Sequence, residues 1–207
     1  MVSGSITVIT GGMFSGKSQE LVRHIEEAVI LGFSVAVCYP LIADRNSQRD
    51  IKWRLGKFRE HVALCPLDTN EFAEPTTRQN VERDVIAIDE AQFFSHDIID
   101  TVKIWRHKGR NVWIAGLDMD YQENPFGPMG PLMCVADHVV KLHARCSRCR
   151  THSAFISYRL SDGDEQVVIG ETNYAALCLQ CYEGLISSHV PGGNTYLKSG
   201  EATGTDL

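Results

Sequence analysis

Gly11-Gly12-Met13-Phe14-Ser15-Gly16-Lys17-Ser18 satisfies the pattern G-x-x-x-x-G-K-[ST]. Glycines at its two ends let the backbone curl so that successive N–H groups face inward toward phosphate oxygens. A helix opening near Gly16 would add its positive end. Lys17 would reach the β- and γ-phosphates of a nucleotide such as ATP, and the Ser18 hydroxyl would bind Mg²⁺. Such a cradle works with a carboxylate at the end of a neighbouring apolar strand. Val85-Ile86-Ala87-Ile88 running into Asp89-Glu90 supplies one. Asp89 would hold Mg²⁺, usually through water, opposite Ser18. Glu90, not needed by the metal, would serve as general base toward whatever hydroxyl attacks the γ-phosphate. If that hydroxyl is water, the chain is an ATPase or a switch; if it is organic, the chain is a kinase.

A second chemistry lies in the cysteines. There are seven, an odd number, and no basic-then-apolar leader precedes the first strand, which argues for thiols or metal ligands over disulfides. Cys146 and Cys149 form one C-x-x-C, Cys178 and Cys181 another. Each pair bites one side of a tetrahedron, and four thiolates would close a structural Zn²⁺ site with no position left for water. A redox pair or an iron–sulfur cluster is the alternative, and His143 and His152 stand near enough in sequence to replace a thiolate. Cys38, Cys65 and Cys134 have apolar neighbours and read as buried small hydrophobes. Leu117-Asp118-Met119-Asp120-Tyr121 and Asn124-Pro125-Phe126-Gly127 follow an apolar strand. With Phe93 and Phe94 they offer Tyr121 and Phe126 to an apolar slot for a flat ring, or simply to the core.

Positioning these residues requires strands alternating with helices. Ile6–Thr10, Ser34–Tyr39, Val85–Asp89, Val112–Leu117 and Val139–Leu142 read as strands, the second and third of them buried. Leu21, Val22, Ile25, Ala28 and Val29 repeat at helical spacing after the glycine loop, closed by Gly32, and a second helix spans about His96 to Lys108. Residues 41–60 read as a mobile loop or a short helix. The alternation implies βαβ crossovers and a mostly parallel sheet. Past residue 143 the character changes: the cysteine pairs flank Ala154–Arg159 and Glu165–Ile169, which look like a hairpin. The expected division is a P-loop α/β domain over 1–142, a zinc-binding domain over 143–190 and a flexible tail over 191–207. The 207 residues, 43% hydrophobic and 22% charged, suit one soluble globule with a small appendage. No apolar run approaches the roughly 20 residues of a membrane span. The net charge of −6 argues against broad capture of nucleic acid.

Taken in order, the motifs resemble the zinc-containing, tetrameric thymidine kinases. The resemblance runs from Ile6 to Tyr182. It rests on Gly-Met-Phe-Ser-Gly-Lys-Ser at 12–18, Asp-Glu-Ala-Gln-Phe-Phe at 89–94 and Leu-Asp…Pro-Phe-Gly at 117–127. Val139–Leu142 ahead of the first cysteine pair and Tyr174 ahead of the second complete it. It implies a P-loop (RecA-like) α/β fold with a small zinc-ribbon lasso, and transfer of the ATP γ-phosphate to the 5′-hydroxyl of thymidine with Glu90 as base. It further implies that Met13, Phe93, Leu117, Tyr121 and Phe126 line the base pocket. The backbone of Val167, Val168 and Ile169 would hydrogen-bond the pyrimidine, and Tyr174 would hold the sugar. Similar proteins are cytoplasmic homotetramers inhibited by thymidine triphosphate (dTTP). Arg45 matches the family arginine by spacing, whereas its companion aspartate lies one residue late, at Asp44. Gly12 and Asn46 stand where proline and tyrosine are commoner. A kinase for another pyrimidine deoxynucleoside is the nearest alternative, and a zinc-bearing P-loop ATPase acting on nucleic acid is one of a different class. Asp89-Glu90-Ala91-Gln92 does resemble the acidic motif of helicases, but such motors normally use two cores.

Overall fold

The computed structural model describes residues 4–41, 51–70, 72, 82–160 and 173–189. Arg45 and the 167–169 segment lie outside these residues, as do the 191–207 segment and the 165–169 half of the expected hairpin. The first half of the chain runs β1 (Ser5–Thr10), α1 (Lys17–Ile30), β2 (Val35–Pro40), α2 (Ile51–Arg54), β3 (Val62–Leu67) and β4 (Val85–Ile88). It continues through α3 (Ile98–His107), β5 (Asn111–Gly116), α4 (Met129–Val135) and β6 (His138–Lys141). The cysteine-bearing end adds β7 (Ala144–Arg145), β8 (Ser153–Ala154), β9 (Ile156–Arg159), β10 (Tyr174–Leu177) and α5 (Leu179–His189).

Six strands form one parallel sheet in the order β3-β2-β4-β5-β1-β6. The inner strands β2 and β4 are buried along their whole length because helices cover both faces, whereas the edge strand β6 is exposed throughout. On one face α1 packs Leu21, Val22 and Ile25 against Ile9, Val37 and Ala87. On the other, α3 and α4 pack Val102, Trp105 and Leu132 against Val8, Ile86 and Ile114. Gly32 (φ 84°) and Gly109 (φ 79°) close α1 and α3 in the left-handed conformation that a glycine adopts at least cost. This is the expected α/β architecture.

The differences have physical reasons. β3 was not expected because Pro66 and its half-buried pattern disguise it; a proline is tolerated there because β3 is an edge strand. α4 hides behind Gly130 and Pro131, which sit in its first turn, where a missing N–H costs nothing. Ile156–Arg159 pairs antiparallel with Tyr174–Leu177, a strand that the sequence pattern did not announce. Cys38 is buried as expected and Cys65 is half-buried, but Cys134 is exposed: it lies off the α4 face that buries Met129 and Leu132. Among the described residues no helix is long and apolar enough to cross a membrane.

Candidate active site

β4, β5 and β1 are adjacent and parallel, so residues after Ile88, Gly116 and Thr10 emerge at the same edge of the sheet. The glycine loop follows β1 directly. Gly11 (φ 136°), Phe14 (φ 63°) and Gly16 (φ 88°) turn it through conformations that L side chains rarely adopt. Leu142 packs so closely that a Cβ on Gly11 would stand 2.0 Å from its carbonyl oxygen. Inside the curl, Ser15 Oγ is buried without a hydrogen-bond partner, and the Lys17 ammonium donates to the Gly12 carbonyl at 2.9 Å. A buried hydroxyl and an inward lysine, each short of an external acceptor, fit a bound phosphate. Burial holds the Lys17 ammonium below its usual range, opposed by the carboxylates of Glu90, Asp89 and Asp118.

The Ser18 hydroxyl donates to Asp89 Oδ1 at 3.2 Å, across the width of β5. Burial, followed by the neighbouring Glu90 charge, pushes Asp89 up to about 7. The Asp89 carboxylate and the Ser18 hydroxyl are hard oxygen ligands of the kind that suits Mg²⁺, with Glu90 beside them. Glu90 is half-buried, with φ 53° on a non-glycine residue. Gln92 donates to its Oε2 at 2.6 Å and accepts from the Leu117 N–H at 3.0 Å.

Of the expected slot residues, Phe93 meets Phe126 edge to face at 5.7 Å, and Leu117 lies where β5 ends. Tyr121 has the Arg159 guanidinium over its ring at 5.1 Å. Phe94 belongs elsewhere: it is buried in the core against Phe72, with ring centroids 4.7 Å apart. Successive side chains after Glu90 diverge, one toward the cleft and one toward α3. Tyr174 stands opposite Arg159 in the β9–β10 register. Met13 connects cradle and lobe, its N–H donating to Ser157 Oγ at 2.9 Å.

The four cysteine sulfurs of the two C-x-x-C pairs lie within 4.8 Å of one another, and those of Cys149 and Cys178 are 3.9 Å apart. A tetrahedral ion with metal–sulfur bonds of about 2.3 Å would set sulfurs roughly 3.8 Å apart, so the cluster fits zinc. Backbone N–H groups of His152 and Thr151 pull the Cys149 thiol down to about 5. Removal from water and the three neighbouring thiols push Cys181 up to about 12. His152 Nδ1 lies 3.5 Å from Cys149 Sγ and outside the sulfur tetrahedron, beside it rather than replacing a ligand.

Sequence reasoning gave no role to Gln92, Ser157, Asp118 or Lys141. Asp118 is 4% exposed; Lys141 Nζ forms an ion pair with its Oδ2 at 2.8 Å, without the alignment of a hydrogen bond at either carboxylate oxygen. The pair spans β1 from β5 to β6 just beneath the cradle. An amide two residues past a strand-end carboxylate pair was the one available signal, for Gln92.

The sequence matches the family described as thymidine kinase over residues 4–182. A thymidine kinase of Bacteroides thetaiotaomicron is 41% identical over 180 residues, covering 86% of this chain and 87% of that one. One from Porphyromonas gingivalis is 39% identical, covering 86% and 85%. Among solved structures, the flagellar accessory protein FlaH of Methanocaldococcus jannaschii superposes with a TM-score of 0.52 at 14% identity, covering 68% of this chain and 72% of its own. At that identity the likeness concerns the fold alone.

Proposed function

This chain belongs to the thymidine kinase family, and from that premise we propose how its residues divide the work. The reaction is transfer of the γ-phosphate of ATP to the 5′-hydroxyl of thymidine, giving thymidine monophosphate and ADP. The observation that carries the assignment of roles is the meeting of Ser18 and Asp89 at 3.2 Å beside Glu90, at the mouth of the glycine loop.

In this reading residues 11–18 and Arg45 hold the ATP phosphates. Gly11, Gly12, Phe14 and Gly16 contribute backbone N–H groups, Met13 carries the curl of the loop with its own N–H turned to Ser157, and Ser15 adds its hydroxyl and Lys17 its charge. Ser18 and Asp89 hold Mg²⁺, which when bound neutralises charge developing on the transferred phosphoryl group. Glu90 takes the proton of the 5′-hydroxyl as that oxygen bonds to the γ-phosphorus, and the bond to the bridging β–γ oxygen breaks to release ADP. Met13, Phe93, Leu117, Tyr121 and Phe126 sandwich the thymine ring. The backbone at 167–169 pairs with its polar edge, and Tyr174 holds the sugar.

The functional division follows the sequence: a nucleotide-binding domain over 1–142, a zinc-anchored lasso over 143–190 and a tail over 191–207. Cys146, Cys149, Cys178 and Cys181 hold the zinc. Four ligating thiolates suit a reducing compartment, which supports a cytoplasmic location. Met13 belongs to both cradle and pocket, so a thymidine triphosphate could fill both at once; that supports feedback inhibition by dTTP. Exposed Ile30, Leu31, Val139 and Val140 leave apolar surface for contacts within a homotetramer. Membrane and nucleic acid are not partners in this reading.

Incubating metal-replete protein with ATP, Mg²⁺ and a panel of nucleosides tests it. Thymidine should be the preferred acceptor, and polynucleotides should not stimulate ATP turnover. Absence of thymidine monophosphate would overturn the reading, and preference for another pyrimidine would revise the pocket.

A further inference from the structure

Gln92 occupies a seat built around it. It is 3% exposed in the short turn Ala91–Phe93. Two glycines clear its surroundings. A Cβ at Gly116 would stand 3.0 Å from Gln92 Oε1, and one at Gly127 (φ 50°) would stand 2.2 Å from the Gln92 carbonyl oxygen. The amide orientation follows from its partners. The Leu117 N–H can only donate, so the atom 3.0 Å away is the amide oxygen. The NH₂ end therefore faces Glu90, 2.6 Å from Oε2.

The terminal torsion of a glutamate is soft and roughly two-fold, so an unrestrained carboxylate swings between orientations. Glu90 is fixed at its root by left-handed backbone (φ 53°) and at its tip by this amide. An oxygen receiving an N–H at 2.6 Å is poorly placed to take a second proton along the same direction. We infer that Gln92 is a positioning residue for phosphoryl transfer: it clamps Glu90 Oε2, leaves Oε1 to accept the proton, and ties that carboxylate to the Leu117 backbone at the pocket floor. The 5′-O–H bond then breaks as the Oε1–H bond forms, and the 5′-oxygen bonds to phosphorus while ADP leaves with the electron pair of the broken P–O bond. This rests on the reading of Glu90 as base.

Kinetics of Gln92→Met, Glu90→Gln and the double variant test it. Gln92→Met fills the same space without either hydrogen bond. Its kcat should fall about 10- to 100-fold, the loss expected when a reacting group is misaligned, while the thymidine KM stays within about threefold. In the Glu90→Gln background, with no base to position, the same change should alter single-turnover rates by less than about twofold. A merely structural Gln92 would give losses that multiply instead, and that would overturn the inference. So would Gln92→Met turnover within about twofold of the parent when Glu90→Gln is impaired. Normal turnover by Glu90→Gln would instead remove the base reading itself. If Gln92→Met does not fold, as circular dichroism will tell, Gln92→Glu answers the question. It keeps an oxygen for the Leu117 N–H, replaces the donor toward Glu90, and should lose turnover by a similar factor.

Discussion

Around the glycine loop, the parallel sheet buries large apolar side chains on both faces, among them Ile86, Ile114, Trp105 and Leu21. Around the four cysteines, the described residues buried in one cluster are Ala144, Ala154, Ala176 and Leu177 besides two of the thiols, with Tyr158, Tyr182 and Leu185 partly buried against them. At about 25 cal/mol per Å² of apolar surface, this contributes less than the sheet's core does against the cost of ordering two short strand pairs and a helix. In the reading proposed above, the core holds Asp89 and Glu90 by packing, and the lobe would hold its shape by coordinating zinc through its four cysteines. Contacts that join them include Ser157 with the Met13 N–H, Arg159 over Tyr121, and Tyr182 with Glu123. These contacts run to the cradle and the Tyr121 loop, so losing the lobe's metal should change substrate handling more than it changes the core.

The largest effect expected from this contrast is in the lobe. Structural zinc contributes on the order of 10–16 kcal/mol in small domains, so Cys178→Ser should release the metal and loosen residues around β9 and β10. Elemental analysis should fall from about one zinc per chain to near none. The core's thermal transition should persist and the thymidine KM should rise. Retention of full zinc would break the four-cysteine assignment. Next in size comes Glu90→Gln in the core, which should cut kcat by about 10²–10⁴-fold with ATP binding retained. Near-normal turnover would remove Glu90 from its role.

A third pair of changes tests the packing half of the comparison. Ile86 is fully buried between β2, β5 and the α3 face, so Ile86→Ala should cost about 2–5 kcal/mol in chemical denaturation of the whole protein. Leu177→Ala in the zinc-loaded lobe should leave the core transition where it is. If Leu177→Ala lowers that transition as much as Ile86→Ala does, the two regions share one cooperative unit.

What the sequence disclosed follows from the same difference. The glycine loop, the Asp89-Glu90 pair and the two C-x-x-C pairs were legible because their chemistry demands fixed residue types at fixed local spacing. β4 and β5 were legible because a sheet covered on both faces leaves apolar runs, and β1 because Ile6-Thr7-Val8-Ile9-Thr10 is β-branched throughout. β3 and α4 were not, since Pro66, Gly130 and Pro131 mimic breakers, the two prolines at positions where a missing donor is harmless. Gln92 and Ser157 were illegible for another reason. Their partners, Leu117 and Met13, lie 25 and 144 residues away, and only the folded register brings them together.

The smallest effect sharpens the boundary between the two regions. Ser157 is buried on β9, and its hydroxyl accepts from the Met13 N–H of the cradle. Ser157→Ala removes that acceptor and nothing larger. A lost neutral hydrogen bond is worth about 0.5–1.5 kcal/mol, so the ATP KM should rise about two- to tenfold with kcat nearly unchanged. Chelating the zinc from the parent protein should shift the ATP KM in the same direction, and chelating it from Ser157→Ala should add little, because the bond that transmits the loss is already gone. An ATP KM equal to the parent's in zinc-loaded Ser157→Ala would show that the cradle holds its shape without the lobe. The lobe's influence would then fall on the nucleoside side alone, through Arg159 and Tyr121.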